Sequence, residues 1–320
     1  MRRFGRGGFL AISIAVLAAA VSPQARPQAA SPNTVPITTV VTVLGKNSAP
    51  PPVLSKDDIT VREGQVRREV LNWIPAQGDK AGLQLAIVID DSLRKTFGAQ
   101  IQPLTEFITS QPQSTSVGVF YASSGTVQVA SQFNPDLAAV AKTVRVPSGT
   151  YGAASSIYQS LMQLIAGWPV TGARREILLF SDGFDYLRKD RFSPDVQLTI
   201  DKAQQAGIVI HAIYAASAGR PGFSKYVVSV GQGNLNRITD GTGGFVTFAS
   251  DTPRVNAAPL SASPYLSQLS LMLKNQYFLT FATNRSKSDK GDYRGIKVLT
   301  ERRDVEIKAA DNVFVPGGGK

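Results

Sequence analysis

The sequence contains no cysteine and a single histidine among its 320 residues. The absence of cysteine excludes disulfide bonds and a lipid anchor attached through cysteine. His211 lies inside the apolar stretch 208–213, which predicts a buried core histidine. Because the sequence also lacks a G-x-S-x-G motif and a phosphate-binding loop, it disfavours a Ser–His–Asp hydrolase and a P-loop nucleotide-binding protein.

Long apolar segments are missing as well. The apolar run near the N-terminus covers residues 9–21 and is short for a membrane span. It follows Arg2, Arg3 and Arg6, the arrangement of a secretory signal peptide. We therefore predict that residues 1–30 are a signal peptide, that the protein is secreted or periplasmic, and that it has no membrane span after cleavage. An uncleaved N-terminal anchor is the alternative.

Acidic residues are fewer than basic residues, 23 against 34, which gives a formal net charge of +11. The basic residues are scattered among acids, and no basic stripe is interleaved with the aromatic residues that nucleic acids select. We expect no nucleic-acid partner. The excess charge is interpreted as a solvated basic surface, with weak attraction to acidic cell-surface polymers left open.

Strand-like patterns lie on both sides of the central part of the chain. Residues 37–44, 59–62 and 66–73 predict an N-terminal β module with a linker over 31–80. Residues 251–320 predict a helix, further β strands and a flexible glycine-rich tail. Since chain ends often lie close together, we expect the strands of the two regions to pair.

Residues 81–250 alternate between strand and helix patterns. The stretches 85–89 and 177–180 are wholly apolar, as in strands buried on both faces of a parallel sheet. The region therefore predicts an α/β fold with a doubly wound, mostly parallel sheet and helices on both faces. N- and C-terminal β strands are expected to flank it.

Polar residues follow two of these strands and precede one helix. The three loops are Asp90–Arg94, Ser148–Thr150 and Ser181–Gly183. Loops at the carboxyl edge of one sheet converge, and their hard oxygen atoms suit Mg²⁺, Mn²⁺ or Ca²⁺. Asp91 should face away from Asp90, because adjacent strand residues point to opposite faces. Asp185 and Asp190 are expected in a solvated acidic loop.

These motifs resemble the von Willebrand factor type A domain over residues 83–248. In that family a D-x-S-x-S loop, a threonine and a T-D-G aspartate form a metal-ion-dependent adhesion site, which a partner's acidic group completes. By position, the matching residues are Asp90, Ser92, Thr150 and Asp182. Segments 54–64 and 273–277 also resemble a secreted bacterial subgroup called von Willebrand factor A-related.

Arg94 occupies the position of the family's second serine, which is normally a metal ligand. A guanidinium donates hydrogen bonds but accepts none, and it repels a cation. Arg94 either turns outward and leaves a weak Mg²⁺ site, or turns inward and pairs with Asp90 or Asp182 in place of the metal. We expect the inward orientation.

The resemblance implies a non-enzymatic recognition or adhesion protein. Its ligand-binding edge would comprise Asp90, Ser92, Arg94, Thr150 and Asp182, with all but Arg94 as metal ligands. The expected partner is a protein or a cell-surface ligand, offering a carboxylate if Mg²⁺ is bound. Two alternatives remain: a metal-assisted hydrolase using the same edge, and a structural scaffold with a non-functional metal site.

Overall fold

The computed structural model describes residues 33–149, 156–189, 191–217, 225–248 and 261–318. The strands are β1 (Thr34–Gly45), β2 (Ile59–Glu63), β3 (Val66–Arg68), β4 (Val70–Pro75), β5 (Leu83–Asp90), β6 (Thr115–Ser123), β7 (Thr126–Asn134), β8 (Arg174–Ser181), β9 (Ile208–Tyr214), β10 (Val246–Thr247), β11 (Gln276–Asn284), β12 (Asp292–Thr300), β13 (Val305–Ala309) and β14 (Asn312–Val315). The α-helices are α1 (Ile101–Thr109), α2 (Leu137–Ala141), α3 (Ile157–Ala166), α4 (Pro194–Ala206), α5 (Lys225–Thr242) and α6 (Ser263–Lys274).

Six strands form the central sheet in the order β10-β9-β8-β5-β6-β7. All neighbouring pairs are parallel except β6 and β7, which are antiparallel. This confirms the predicted α/β fold with a mostly parallel sheet. From β5 the chain continues to β6 and β7 on one side, then returns to β8, β9 and β10 on the other. Open α/β sheets bind their ligands where the strand order reverses in this way.

Helices pack against both faces of this sheet because its central strands present apolar residues to both faces. Leu85, Ile87 and Ile89 of β5 share a core with residues of α1, α2 and α6. The alternate residues Ala86 and Val88 share a core with residues of α3, α4 and α5. Within the described residues, no helix is long and apolar enough to cross a membrane.

Local sequence signals specify the ends of helix α4 but not the length of helix α5. Ser193 caps α4, its hydroxyl accepting from the Asp195 N–H, and Gly207 follows the helix with φ +63°. Helix α5 extends over 18 residues although it contains Gly231, Gly233 and Gly241. Its glycines lower the intrinsic helix propensity, so packing rather than local preference sets its length.

The N- and C-terminal strands pair with each other in two further sheets. Their orders are β13-β1-β11-β4 and β14-β12-β2-β3, and all pairings are antiparallel. Their inner faces share one apolar core, so the two sheets form a sandwich. The single strand predicted over 66–73 is wrong: β3 and β4 are separate at Glu69 and lie in different sheets.

Glu63, the last residue of β2, joins the two sheets of the sandwich. Its carboxylate accepts hydrogen bonds from Arg68 Nε at 2.8 Å and from Thr283 Oγ1, on β11, at 2.5 Å. Arg294 Nη1 lies 3.4 Å from it. Burial alone would raise the pKa of Glu63, but the hydrogen bonds from Arg68 and Thr283 lower it below its ordinary value.

We expect Glu63→Gln to lower the free energy of unfolding by about 1–2 kcal/mol, because charge-assisted hydrogen bonds to two arginines are lost. Urea denaturation measures the change. Glu306→Gln is the control: its carboxylate is 55% exposed and lies 3.9 Å from Lys308 Nζ, so its loss should cost less than about 0.5 kcal/mol. Equal effects of the two substitutions would contradict the role of Glu63.

Candidate functional site

The loops after β5, β8 and β9 meet at the carboxyl edge of the six-stranded sheet. Strand β8 lies between β5 and β9 and pairs with both, so the three following segments start from one edge. They bring together four buried side chains with oxygen atoms: Asp90, Ser92, Asp182 and Ser217. The first three are residues that the sequence predicts, and Ser217 is an addition.

Asp90 is held by hydroxyl and backbone donors. Its Oδ1 accepts from the N–H of Ser92 at 3.0 Å and from Ser92 Oγ at 2.6 Å. Its Oδ2 accepts from Ser181 Oγ at 2.9 Å. The first two contacts form an Asx-type turn that ends the strand, and the third ties the ends of β5 and β8 together.

Asp182 is held in the same way from another direction. Its Oδ1 accepts from the N–H of Phe184 at 3.0 Å. Its Oδ2 accepts from Tyr186 Oη at 2.5 Å and from Ser217 Oγ at 2.6 Å. Asp182 is therefore connected to the segment after β9 as well as to its own loop.

Two serine hydroxyls connect the two carboxylates. Ser92 Oγ lies 3.3 Å from Ser217 Oγ. Each hydroxyl has one hydrogen to donate, and the short contacts use it on Asp90 in one case and on Asp182 in the other. With both hydrogens used in this way, the two hydroxyl oxygens face each other with lone pairs. A cation or a hydrogen-bond donor would satisfy both.

Burial makes this edge electrostatically unfavourable for two carboxylates. Asp90 is 6% exposed and Asp182 is 5% exposed. Burial, and secondarily the charge of Asp182, raise the pKa of Asp90 from 3.8 to about 6, against the opposing effect of the hydrogen bonds from Ser92 and Ser181. A positive charge between the two carboxylates would reduce their repulsion.

Asp91 faces away from Asp90, as predicted, and binds the second loop. Its Oδ1 accepts from Arg145 Nη1 at 2.7 Å and from the Ser148 N–H at 2.9 Å. Its carbonyl oxygen accepts from the Gly149 N–H at 3.0 Å. Burial alone would raise the pKa of Asp91, but the hydrogen bonds from Arg145 and Ser148 lower it below its ordinary value.

The second loop thus runs alongside the first as far as Gly149. Thr150, the predicted threonine ligand, lies outside the described residues. Its role stays a prediction from the sequence.

Arg94 is only half-buried, and its Nε donates to the carbonyl oxygen of Ser217 at 3.1 Å. The Arg94 N–H also donates to the Ala216 carbonyl oxygen at 3.3 Å, so the residue lies along the segment after β9. Its inward pairing with Asp90 or Asp182 stays a prediction from the sequence.

Sequence reasoning missed Ser217. The residue follows an apolar strand by three positions, and the rule applied to β5 and β8 would have indicated it. Strand β8 separates β5 from β9 in the sheet, yet Leu93 and Ser217 form an antiparallel bridge beyond its end. That approach brings the Ser217 hydroxyl to Ser92.

The prediction of a solvated loop is wrong for Asp185, which is 1% exposed. Its Oδ1 accepts from the N–H groups of Leu187 and Arg188, and its Oδ2 accepts from Ser193 Oγ at 2.5 Å. Asp185 therefore braces the Asp182 loop against the start of α4. Asp190 lies outside the described residues.

His211 is a buried core histidine, as predicted, with 1% exposure. Its Nε2 lies 2.7 Å from Glu176 Oε2, and its Nδ1 accepts from the Phe245 N–H at 3.2 Å. Both ring nitrogens are thus engaged inside the sheet. The ring does not reach the loops around Asp90.

The oxygen atoms at the edge form a hard donor set. In the described residues, no group of three or more histidine, aspartate or glutamate side chains is placed to hold a metal ion. The edge offers two carboxylates and two hydroxyls instead. Mg²⁺ is commonly bound by one or two carboxylates, with its other positions filled by water or by a ligand. The residues present fit such an ion.

Solved structures that are similar to this chain include von Willebrand factor type A domains, the family that the sequence resembles. One is a von Willebrand factor type A protein from Catenulispora acidiphila, with 8% identity and a TM-score of 0.44 over 90% of this chain and 75% of that one. BatB from Bacteroides thetaiotaomicron has 11% identity and a TM-score of 0.41 over 60% and 96%. The SpRpn10 VWA domain has 13% identity and a TM-score of 0.37 over 58% and 94%.

No protein-family model and no curated protein matches the sequence.

Proposed function

We propose that this chain is a secreted or periplasmic, non-enzymatic recognition protein, with a doubly wound sheet flanked by a β-sandwich. It binds a protein or cell-surface ligand at the edge formed by Asp90, Ser92, Asp182 and Ser217. The observation that supports this most is the Ser92–Ser217 contact, where two buried hydroxyl oxygens face each other after donating to carboxylates. Such an arrangement is suited to a cation that a ligand then completes.

Mg²⁺ is the proposed ion, with Mn²⁺ or Ca²⁺ as substitutes, and it would supply a positive charge that attracts a ligand carboxylate. The four oxygen-bearing side chains would hold it, with Thr150 added by the resemblance. The role of Ser217 is to provide an oxygen where Arg94 replaces the family's second serine. Arg94, held on the Ser217 carbonyl oxygen at the rim, adds a second positive charge for an acidic ligand.

Calorimetric titration with Mg²⁺ and with Mn²⁺ tests the ion. We expect binding heat with the wild type and none with Asp90→Ala. Ser217→Ala should lower the affinity by about tenfold or more, since a direct ligand is worth about 1.4 kcal/mol or more. Arg94→Ser should tighten binding, because it removes a repelling charge. Ser110→Ala, at the end of α1, is the control and should bind like the wild type.

Absence of heat with the wild type would show that the metal part of the proposal is wrong.

Recognition of the ligand is tested separately, by capture of ligands from the native cell envelope. We expect Arg94→Glu to lose the captured ligand, because its charge repels an acidic group, while Ser110→Ala retains it. Equal capture by these two variants would exclude this edge as the binding surface.

A further inference from the structure

A row of three cations crosses one face of the sandwich sheet β14-β12-β2-β3. Lys297 on β12 is directly opposite Arg62 on β2, and Arg62 is directly opposite Arg67 on β3. All three side chains are exposed. Neighbouring strands are about 5 Å apart, so the row spans about 10 Å.

The folded sheet does not compensate this charge. Like charges directly opposite each other on neighbouring strands are destabilising. Among the described residues, none of the three cations has an acidic partner within 4.0 Å. Glu63, next to Arg62, turns toward the other face and binds Arg68 and Arg294. Sheet stability therefore does not explain why these residues lie together.

An aromatic ring and a glycine lie on the same face. Tyr293, Gly295 and Lys297 are every second residue of β12, so they share this face. Tyr293 is 40% exposed, and it is held by its hydroxyl, which donates to the Asp201 carbonyl oxygen at 3.1 Å, and by Phe314, whose ring centroid is 5.3 Å away. Gly295 has no side chain, and Asn312 Oδ1 lies 3.5 Å from the position that a Cβ atom would take there, so an amide oxygen is available beside the ring.

From this face we infer a second binding site, which takes an acidic polysaccharide. Sulfate or carboxylate groups lie along Lys297, Arg62 and Arg67, and a sugar ring packs on Tyr293 over Gly295. The flat apolar face of a tyrosine suits such a ring. A linear polymer fits better than a membrane, because the three cations form a single row about 10 Å long across the strands. The site lies on a different sheet from Asp90 and does not depend on the proposed ion.

Binding of heparin to the full chain tests the inference, with neutral dextran as the sugar control. We expect the triple substitution Arg62→Gln, Arg67→Gln and Lys297→Gln to weaken heparin affinity about tenfold or more, since each surface cation contributes to polyanion binding. The matched control removes the same charge at three exposed residues on other elements: Lys142→Gln, Lys225→Gln and Lys274→Gln. It should change affinity less than about threefold.

Stability and specificity are measured on the same proteins. Because opposed like charges are removed, the triple variant at the row should melt at or above the wild-type temperature, so its loss of affinity is not loss of fold. Tyr293→Leu should weaken heparin binding further. Equal losses in the two triple variants, unchanged affinity with Tyr293→Leu, or tighter binding to phosphatidylglycerol vesicles than to heparin would each overturn the inference.

Discussion

Replacing Gly231 by alanine is expected to destabilise the protein by about 3 kcal/mol and to displace the Asp182 loop. Gly231 lies on α5, and a Cβ atom there would be 2.1 Å from the Asp182 carbonyl oxygen. The loop cannot move aside easily. Gly183, with φ +70°, accepts hydrogen bonds on its carbonyl oxygen from Tyr158 Oη at 2.5 Å and from Asn234 Nδ2 at 3.2 Å. Helix α5 must therefore shift.

Gly233→Ala provides a control in the same helix. A Cβ atom at Gly233 meets nothing within 4 Å, so the higher helix propensity of alanine should stabilise the protein by up to about 1 kcal/mol. Urea denaturation of both variants gives the comparison, and Mg²⁺ titration reports whether the Asp182 loop has moved. If the two substitutions changed stability in the same direction, the result would contradict a close contact between α5 and the Asp182 loop.

Asp90→Asn is expected to stabilise the protein by about 2–3 kcal/mol at neutral pH. The pKa of Asp90 is about 6 in the folded protein, above its ordinary 3.8. Between these values the folded state keeps a proton that the unfolded chain has released, so the stability of the wild type falls as pH rises through that window. Asparagine has no charge to bury, and Ser181 Oγ can accept from its amide. The gain should therefore be small below about pH 4 and constant above about pH 7.

At the adjacent Asp91 we expect the opposite dependence of stability on pH. Its pKa is lowered, so its charge stabilises the folded state above the ordinary pKa, and that contribution is lost as pH falls. Asp91→Asn should destabilise the protein at neutral pH, chiefly by weakening the contact with Arg145. Urea denaturation over a pH series measures both variants. A difference between wild type and Asp90→Asn that does not change with pH would contradict the buried charge at Asp90.

Most elements follow from local sequence patterns. The wholly apolar stretches in β5 and β8 indicate buried parallel strands, and the Ser193 cap with Gly207 delimits α4, because these signals act within a few residues. Helix α5 and the break at Glu69 were not predictable in this way. Both depend on packing partners far along the chain.

The candidate site also has a part that the sequence indicates and a part that it does not. Asp90, Ser92 and Asp182 are visible in the sequence because polar residues at the end of a buried strand form a short, recognisable pattern. Ser217 follows β9 in the same way, but its contact with Ser92 and the orientation of Arg94 are not visible in the sequence. Both depend on the loop after β9 reaching the loop after β5 across the end of β8.

No sequence pattern groups the three cations of the proposed polysaccharide site. Arg62, Arg67 and Lys297 look scattered in the sequence and become a row only through the strand register. The strand ends and their oxygen atoms follow from the sequence, because turn formation and burial are local. Which side chains meet depends on the tertiary fold, because strand order and register join residues that are far apart in the chain.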